Sequence, residues 1–475
     1  MITYEANSIL ANFADISRFP RNSGSEKAVS DYIKKWAEDL GLDVTQDELG
    51  NLIIKKAASP GCKTGDAVIL QAHMDMVCEK SPGSPHDFSR DPITPVIDGD
   101  WLTAEDTSLG ADNGIGVAIA MSILEADSLK HPPLEVIFTV QEETTFEGAA
   151  EVDKSGLKAT RMINLDHACG SEVIIGSCGG TGVNFEMPIG REASVSSGFK
   201  AYKVTLSGLV GGHSGEDIHR GRGNAISLIM RFVEKANLPL VSIDGGSNRL
   251  AIPREASAVI MTDELPALEK IIKEYESSLK EEYVSAAKLR MDIEESENTA
   301  PPLDTKSYMK LRLVLRAYPN GIIRMFDDME GIVESSDNIG IIETSDDSIR
   351  LVSEVRGSYQ ATIDDILETI KLVADFADAN IETFSAYSPW KSAADSELKR
   401  LSVETYRELF GEEMKPVAVH AGLESAFFAS AMPELDIISI GPDCQNFHST
   451  EERVSISSTL KVYKFLVELL SKLTP

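Results

Sequence analysis

DAVILQAHMDMV, residues 66–77, sets a short apolar run directly before a histidine and an aspartate two positions apart. A run of this length, rich in branched residues and ending abruptly in polar side chains, predicts a buried strand with functional groups at its end. PLEVIFTVQEE (133–143) and RMINLDHA (161–168) repeat the arrangement, an apolar run followed at once by acids. Working outward, SEKAVSDYIKKWAEDLG (25–41) has apolar residues at helical spacing and a terminal glycine, and NLIIKK (51–56) reads as another strand. Strands alternating with helices predict an α/β fold, a sheet covered by helices with its ligands at the carboxyl ends of the strands.

The chain is too long, at 475 residues, for one compact core. Near residue 190 its texture changes. FKAYKVTLSGL (199–209) alternates like a half-exposed strand, and GNAISLIMRFVEKAN (223–237) and ELPALEKIIKEYESSLKEEY (264–283) read as amphipathic helices. A second strand and helix round follows in NIGIIETSDDSIRLVSEVRGS (338–358) and IDDILETIKLVADFADAN (363–380), which suggests a duplicated smaller α/β unit over 188–388. AYSPW (386–390) reads as a linker, after which SELKRLSVETYRELFG (396–411) is helical and MPELDIISIGP (432–442) returns to a buried strand before FHSTEE (447–452). The predicted division is 1–187 and 389–475 as two parts of one domain, with 188–388 inserted between them.

A composition of 42% hydrophobic and 25% charged residues is that of an ordinary globular protein. The net charge of −31 argues against nucleic acid or an anionic membrane as partner. The amino terminus has no signal-type apolar stretch, and no segment approaches about 18 uninterrupted apolar residues, so a cytoplasmic location is expected. Five scattered cysteines without a CxxC pair indicate neither a disulfide framework nor a thiolate zinc site; they read as reduced, mostly buried thiols.

The polar strand ends carry the chemistry. HxD at 73 and 75 places both side chains on one face of a strand, so His73 can offer one ring nitrogen to a metal while Asp75 buttresses the other. SLGADNGIG (108–116) puts Asp112 in a glycine-flanked turn entering the amphipathic run 113–127, as a carboxylate between two cations requires. Glu142 and Glu143, adjacent at the end of a buried strand, repel each other unless a cation or proton offsets their charge. One then points to metal and its neighbour to water, which makes Glu143 a ligand and Glu142 a general base. Asp166 and His448 complete a set of two histidines and three carboxylates, an inventory that suits two hydrolytic zinc ions. Taken singly, HxD reads first as a strand-capping histidine, Asp112 first as a helix cap and the glutamate pair as readily as a solvated acidic turn; five such residues at successive strand ends form a joint pattern that chance rarely makes. In GLVGGHSGEDIHRGRGNA (208–225), glycines expose His213, which can donate to the oxygen that gains charge in a tetrahedral intermediate.

Together with HDFSRDPITPVIDGDWL (86–102), AIPREA (251–256), YPNGIIR (318–324), VHAGLES (419–425) and SIGPDCQNFHS (439–449), these segments resemble the metallopeptidase family of glutamate carboxypeptidases, aminoacylases, tripeptide aminopeptidase and carnosinases. The wider strings are similar to its aminoacyl-histidine dipeptidase branch, essentially from end to end. The resemblance implies a zinc-exopeptidase-like catalytic domain, with a mixed central sheet flanked by helices, and an inserted, duplicated α/β lid. It implies two divalent ions, zinc first, with cobalt or manganese as substitutes. Asp112 would bridge them, His73 and Asp166 would complete one, and Glu143 and His448 the other. Glu142 would act on water, Asp75 would steady His73, and His213 would steady the oxyanion. Arg356 and His420 would bind substrate, Arg356 through its fork at the terminal carboxylate.

The implied activity is hydrolysis of short unblocked dipeptides, Xaa-His among them, by water activated between two zinc ions and Glu142. The implied partner is a small peptide, with neither nucleic acid nor membrane, and monomer and homodimer are both tenable. The rivals are an N-acyl amino acid amidohydrolase on the same scaffold and a non-catalytic binding module; a carboxylate-pair glycosidase leaves His73 and His448 without a task. The chain departs from the branch at Ser425 and Ala426, where cysteine and glycine are usual, at Leu250 in place of asparagine, and at His167 in place of serine. None of these is an expected metal ligand, so they bear on substrate preference.

Overall fold

The computed structural model describes residues 7–62, 66–193, 198–298, 300–327, 329, 331–391 and 395–474. Contacts divide the chain into two compact units, one of residues 1–176, 390–418 and 423–475, the other of 177–389 and 419–422.

The first unit is built on an eight-stranded mixed sheet. Its strands run in the order Asp43–Gln46, Leu52–Lys56, Leu134–Thr139, Ala67–His73, Ala159–Asn164, Asp436–Ser439, Glu172–Ser177 and Lys415–Val419. The four strands from Leu134–Thr139 to Asp436–Ser439 are mutually parallel. All residues of Ala67–His73 and Leu134–Thr139 are buried, as parallel strands covered on both faces must be. Parallel strands end on the same edge of a sheet, so segments following residues 73, 139, 164 and 439 emerge side by side. This registry gathers the polar strand ends although the last is about 300 residues from the rest.

The helix Ala111–Glu125 corrects the expected amphipathic run. It is buried on every side from Asn113 to Leu124, because it packs between the strand Ala67–His73 and the helices Ser8–Ile16 and Ile456–Lys472. A small sheet joins the chain's ends within this unit: Arg453–Ser455 pairs with Trp101–Ala104 on one side and Cys444–Gln445 on the other. It fixes the segment 446–452 from both sides. Among the described residues no helix is long and apolar enough to cross a membrane.

The second unit is built on an antiparallel sheet that carries the same topology twice, beside a small two-stranded sheet of Gly212–His213 and Ala251–Ile252. The first copy runs strand Lys200–Ser207, helix Ala225–Ala236, strands Leu240–Gly245 and Ala256–Thr262, helix Leu265–Glu282 and strand Arg290–Glu295. Its strands stand in the order fourth, first, third, second. The second copy takes Gly179–Pro188 as its first strand, followed by helix Thr305–Ala317, strands Val333–Thr344 and Ser348–Gly357, helix Gln360–Ala377 and strand Asn380–Tyr387. The same order recurs. Each copy is therefore a split βαβ arrangement, and the first is inserted between the first strand and first helix of the second. The copies meet where Gly245 pairs with Ile342.

Two local expectations change. Ala386 and Tyr387 of the expected linker end the strand Asn380–Tyr387, and Trp390 is buried at 3% exposure, so AYSPW is ordered by pairing and packing. The cysteines are all free, but only Cys178 is buried; the other four are half-buried.

Candidate active site

His73 is the last residue of its strand, and Asp75 lies just past it, because Met76 leaves the sheet to pair with Arg21. The expected placement of both on one strand face is corrected, yet they remain neighbours: His73 Nδ1 is 3.4 Å from Asp75 Oδ1 and 3.2 Å from the Asp75 carbonyl. Asp75 is wholly buried and does more than face histidine. Its Oδ1 accepts from the Glu142 N–H at 3.0 Å, and its Oδ2 from the Glu143 N–H at 3.1 Å and the Ser23 hydroxyl at 2.7 Å. One carboxylate thus ties the ends of two parallel strands. Gln141, just before the glutamates, has φ of 57°, and His448 has φ of 60°. Side chains other than glycine are costly in this left-handed region, and such residues cluster at functional sites.

Asp112 occupies a kink at the start of its helix, with φ −80° and ψ 109°. Its Oδ1 lies 3.3 Å from His73 Nε2 and its Oδ2 lies 3.2 Å from His448 Nε2. Asp166 Oδ1 is 3.6 Å from His73 Nε2, and Glu143 Oε1 is 3.0 Å from His448 Nε2. Two triads share Asp112, His73 with Asp112 and Asp166, and Asp112 with Glu143 and His448, and a third group joins His73 to Glu142 and Glu143; within each, the donor atoms lie within 4.8 Å of one another. Zinc bonds of about 2.0–2.2 Å at tetrahedral angles separate nitrogen and oxygen ligands by about 3.3–3.6 Å. The separations around His73 match this spacing, those around His448 are shorter at 3.2 and 3.0 Å, and the donor set of imidazole and carboxylate fits a divalent cation in each triad. Glu142 stands apart from these closest pairs, with Oε2 3.9 Å from His73 Nε2.

Electrostatics give the same reading. Burial, reinforced by Asp112, pushes Glu143 up to about 7, against the pull of His448. Burial pushes Asp166 up to about 6, against His73. Burial and the charges of Glu143 and Asp166 outweigh His73 and hold Glu142 well above the usual carboxylate range. Burial alone would lower His448, but Asp112 and Glu143 hold it far above an ordinary histidine. Without cations, this cluster is one that must take up protons.

Several supporting residues escaped the sequence reading. Glu452, 2% exposed, accepts from the N–H groups of Leu109 at 2.7 Å, Gly110 at 2.8 Å and Asp112 at 3.1 Å, and so fixes the turn that carries Asp112. Buried Arg21 donates to the carbonyls of Gly110 at 2.6 Å and Met74 at 3.0 Å, joining the same turn to the segment after His73. Asn113 donates to Asp166 Oδ1 and, at 2.8 Å, to the Leu165 carbonyl. Glu424, wholly buried, accepts from Gln71 and, at 2.7 Å, from Thr139, and burial pushes it up to about 7. Glu452 and Glu424 lie inside motifs already quoted; an acid after the short run Ala421-Gly422-Leu423 is the signal that could have found Glu424, and Glu452 follows polar residues that give none. Arg21 offers none.

His213, Arg356 and His420 belong to the second unit. His213 Nδ1 accepts from the N–H groups of Gly215 at 3.3 Å and Glu216 at 3.1 Å, which places the proton of the neutral ring on Nε2. Arg356 is buried at 2% exposure and donates to the Tyr387 hydroxyl at 2.7 Å and Ser214 at 3.4 Å. His420 Nε2 is 2.7 Å from the Ser336 hydroxyl, and burial, with the nearby Arg356, pushes the ring down to about 3. A Cβ on Gly215 would stand 2.1 Å from the His420 carbonyl, so the His213 loop and His420 approach as closely as only glycine permits.

Residues 69–472 match the model of peptidase family M20/M25/M40. The chain is 38% identical to the cytosol non-specific dipeptidase of Escherichia coli (strain K12), over 97% of this chain and 96% of that one. It is similar in structure to an aminoacylhistidine dipeptidase from Vibrio alginolyticus, with a TM-score of 0.82, 37% identity and coverage of 98% and 96%. Aminopeptidase PepT from Bacillus cereus ATCC 10987, at 16% identity, a TM-score of 0.57 and 99% coverage of both chains, shares the fold. With a family match over most of its length, and the polar strand ends of that match meeting in two triads, this chain belongs to peptidase family M20/M25/M40.

Proposed function

We propose that the protein hydrolyses the peptide bond of short unblocked dipeptides, Xaa-His among them, using two divalent cations in the cytoplasm. The observation that carries this reading is Asp112, which turns one oxygen to each histidine while Asp166 and Glu143 flank the two pairs. His73 and Asp166 would hold one cation, Glu143 and His448 the other, and Asp112 both. Zinc fits best, with cobalt or manganese able to take its place. When bound, the pair would supply Lewis-acid polarisation of the peptide carbonyl and make water more acidic.

The remaining steps fall to side chains. Glu142, buried beside His73 but outside the closest pairs, takes the proton from the attacking water and delivers it to the leaving amine. Asp75 keeps Glu142 in place through its backbone and His73 through its ring. His213, whose proton sits on Nε2, donates to the oxygen that gains charge. Arg356, whose hydrogen-bond partners are the hydroxyls of Tyr387 and Ser214 and the thiol of Cys178, binds the terminal carboxylate of the peptide, with neutral His420 in the same part of the second unit. The dipeptidases similar in sequence and in structure support this choice of substrate.

The test is a panel of free dipeptides beside N-acetylated amino acids, each assayed before and after chelation and after addition of zinc. The reading expects turnover of dipeptides only, abolished by chelator and restored by zinc. Preferential turnover of N-acetylated amino acids would replace it with an amidohydrolase, and absence of turnover with bound zinc would leave a binding module.

A further inference from the structure

The loop between the strands Ala159–Asn164 and Glu172–Ser177 carries a ligand set that the hydrolytic reading does not use. His167, Cys169 and Glu172 place one nitrogen, one sulfur and one carboxylate oxygen within 4.8 Å of one another. Among the described residues, no such group joins any of these three to His73, Asp112, Glu142, Glu143, Asp166 or His448. We propose that His167, Cys169 and Glu172 form an additional, exchangeable site for a thiophilic divalent cation of the zinc type.

Three observations carry the proposal. The first is spacing. His167 Nε2 stands 3.5 Å from Glu172 Oε2, the edge expected for nitrogen and oxygen ligands of tetrahedral zinc, about 3.3–3.6 Å. The second is an unsatisfied atom. His167 Nε2 is buried without a hydrogen-bond partner, although its side chain is only 12% exposed. That nitrogen has lost water and has only the long contact with the Glu172 carboxylate in its place, and a cation would satisfy it together with the carboxylate. The third is that the backbone of the loop is already set. The N–H groups of His167, Gly170 and Glu172 donate to the Ile440 carbonyl, Asp443 Oδ1 and the Cys169 carbonyl, while Cys444 and Lys415 donate to the carbonyls of Ala168 and Ser171. Cys169 Sγ faces the Ser171 hydroxyl at 3.5 Å, a contact that a cation would replace.

The donor types decide the class of ion. Thiolate with imidazole and carboxylate suits zinc, cobalt or cadmium and excludes magnesium and calcium, which take oxygen ligands. On binding, the sulfur–hydrogen bond of Cys169 breaks, its proton goes to solvent, and a sulfur–metal bond forms. Three protein ligands leave a fourth position for water. With Cys169 and Glu172 half-exposed, solvent reaches the site, so the ion exchanges. The absence of a CxxC pair is no obstacle, because the ligands come from different residue types across a short loop.

Sulfur makes the test selective, since the residues assigned to hydrolysis contain none. Full-length protein stripped with chelator and titrated with cobalt should develop a near-ultraviolet thiolate-to-cobalt charge-transfer band. Cys169→Ser should abolish the band while the remaining cobalt still binds. Glu172→Gln, which keeps the cysteine, should weaken the cobalt affinity read from the band by about tenfold or more. Circular dichroism of both variants confirms that they fold, and should one misfold, the other still decides. No band at saturating cobalt, a band that survives Cys169→Ser, or an unchanged affinity in Glu172→Gln would each overturn the proposal. The band does not depend on turnover, so its failure leaves the dipeptidase reading untouched, and loss of dipeptidase activity leaves the band.

Discussion

Asp112 is the residue on which the site turns, because each of its oxygens faces a different histidine. Asp166 stands 3.6 Å and Glu142 3.9 Å from His73, and the proposed function assigns Glu142 to the proton rather than to a cation. Glutamine has the shape of glutamate but cannot accept that proton. Glu142→Gln should therefore lower kcat by about 10²–10⁴-fold while metal analysis of the purified variant shows unchanged content. A rate close to the parent's would remove Glu142 as the base, and lost metal would make it a ligand. At this scale the sequence was informative wherever an apolar run stops abruptly at a charge, as at His73, Glu142, Glu143 and Asp166. It was silent on Arg21 and Asn113. Arg21 bonds to residues more than 50 positions away, as does Asn113 to Asp166, and no local pattern marks such partners.

Among elements, the four parallel strands do most to assemble the site. Their buried runs were legible from the sequence, as was the alternation with helices. The helix Ala111–Glu125 was misread as amphipathic although its own run from Gly114 to Leu124 is apolar on every face, as a helix covered on all sides requires. In the second unit, the strand Gly179–Pro188 completes a copy whose other elements start more than 100 residues later, and local periodicity cannot reveal such an interruption. In the same sheet the strand Val333–Thr344 contains Asp337, which is fully buried, accepts from the Asn338 N–H at 2.8 Å and faces the Ser353 hydroxyl at 3.3 Å. Burial pushes its carboxyl up to about 8, despite these bonds. Unfolded aspartate titrates near about 3.9. Between those values the folded chain keeps a proton that the unfolded chain releases, so stability falls as pH rises through this window and levels off above about 8. The slope is at most about 1.4 kcal/mol per pH unit. Asp337→Asn removes this contribution. Its melting temperature relative to the parent should rise between pH 5 and pH 8, read by thermal unfolding at both; parallel behaviour at the two pH values would show that Asp337 does not hold its proton.

For the whole molecule, the chain order is the decisive fact: the first unit is made from three stretches of sequence, and the second lies mostly between two of them. His448 reaches Asp112 and Glu143 within the first unit because the strand Asp436–Ser439 joins the parallel set and Arg453–Ser455 pairs with Trp101–Ala104. The sequence implied that return, since a buried strand precedes FHSTEE, but not the small sheet that anchors its far side. The strands of that sheet are two to four residues long, too short for a periodic signal. The central claim is that this return builds two cation positions sharing Asp112. Its most direct test is an anomalous difference map at the zinc absorption edge from crystals of the zinc-loaded protein. Two peaks should lie within bonding distance of Asp112, one also bonded to His73 and Asp166 and the other to Glu143 and His448. A single peak, or zinc bound away from Asp112, would contradict the account.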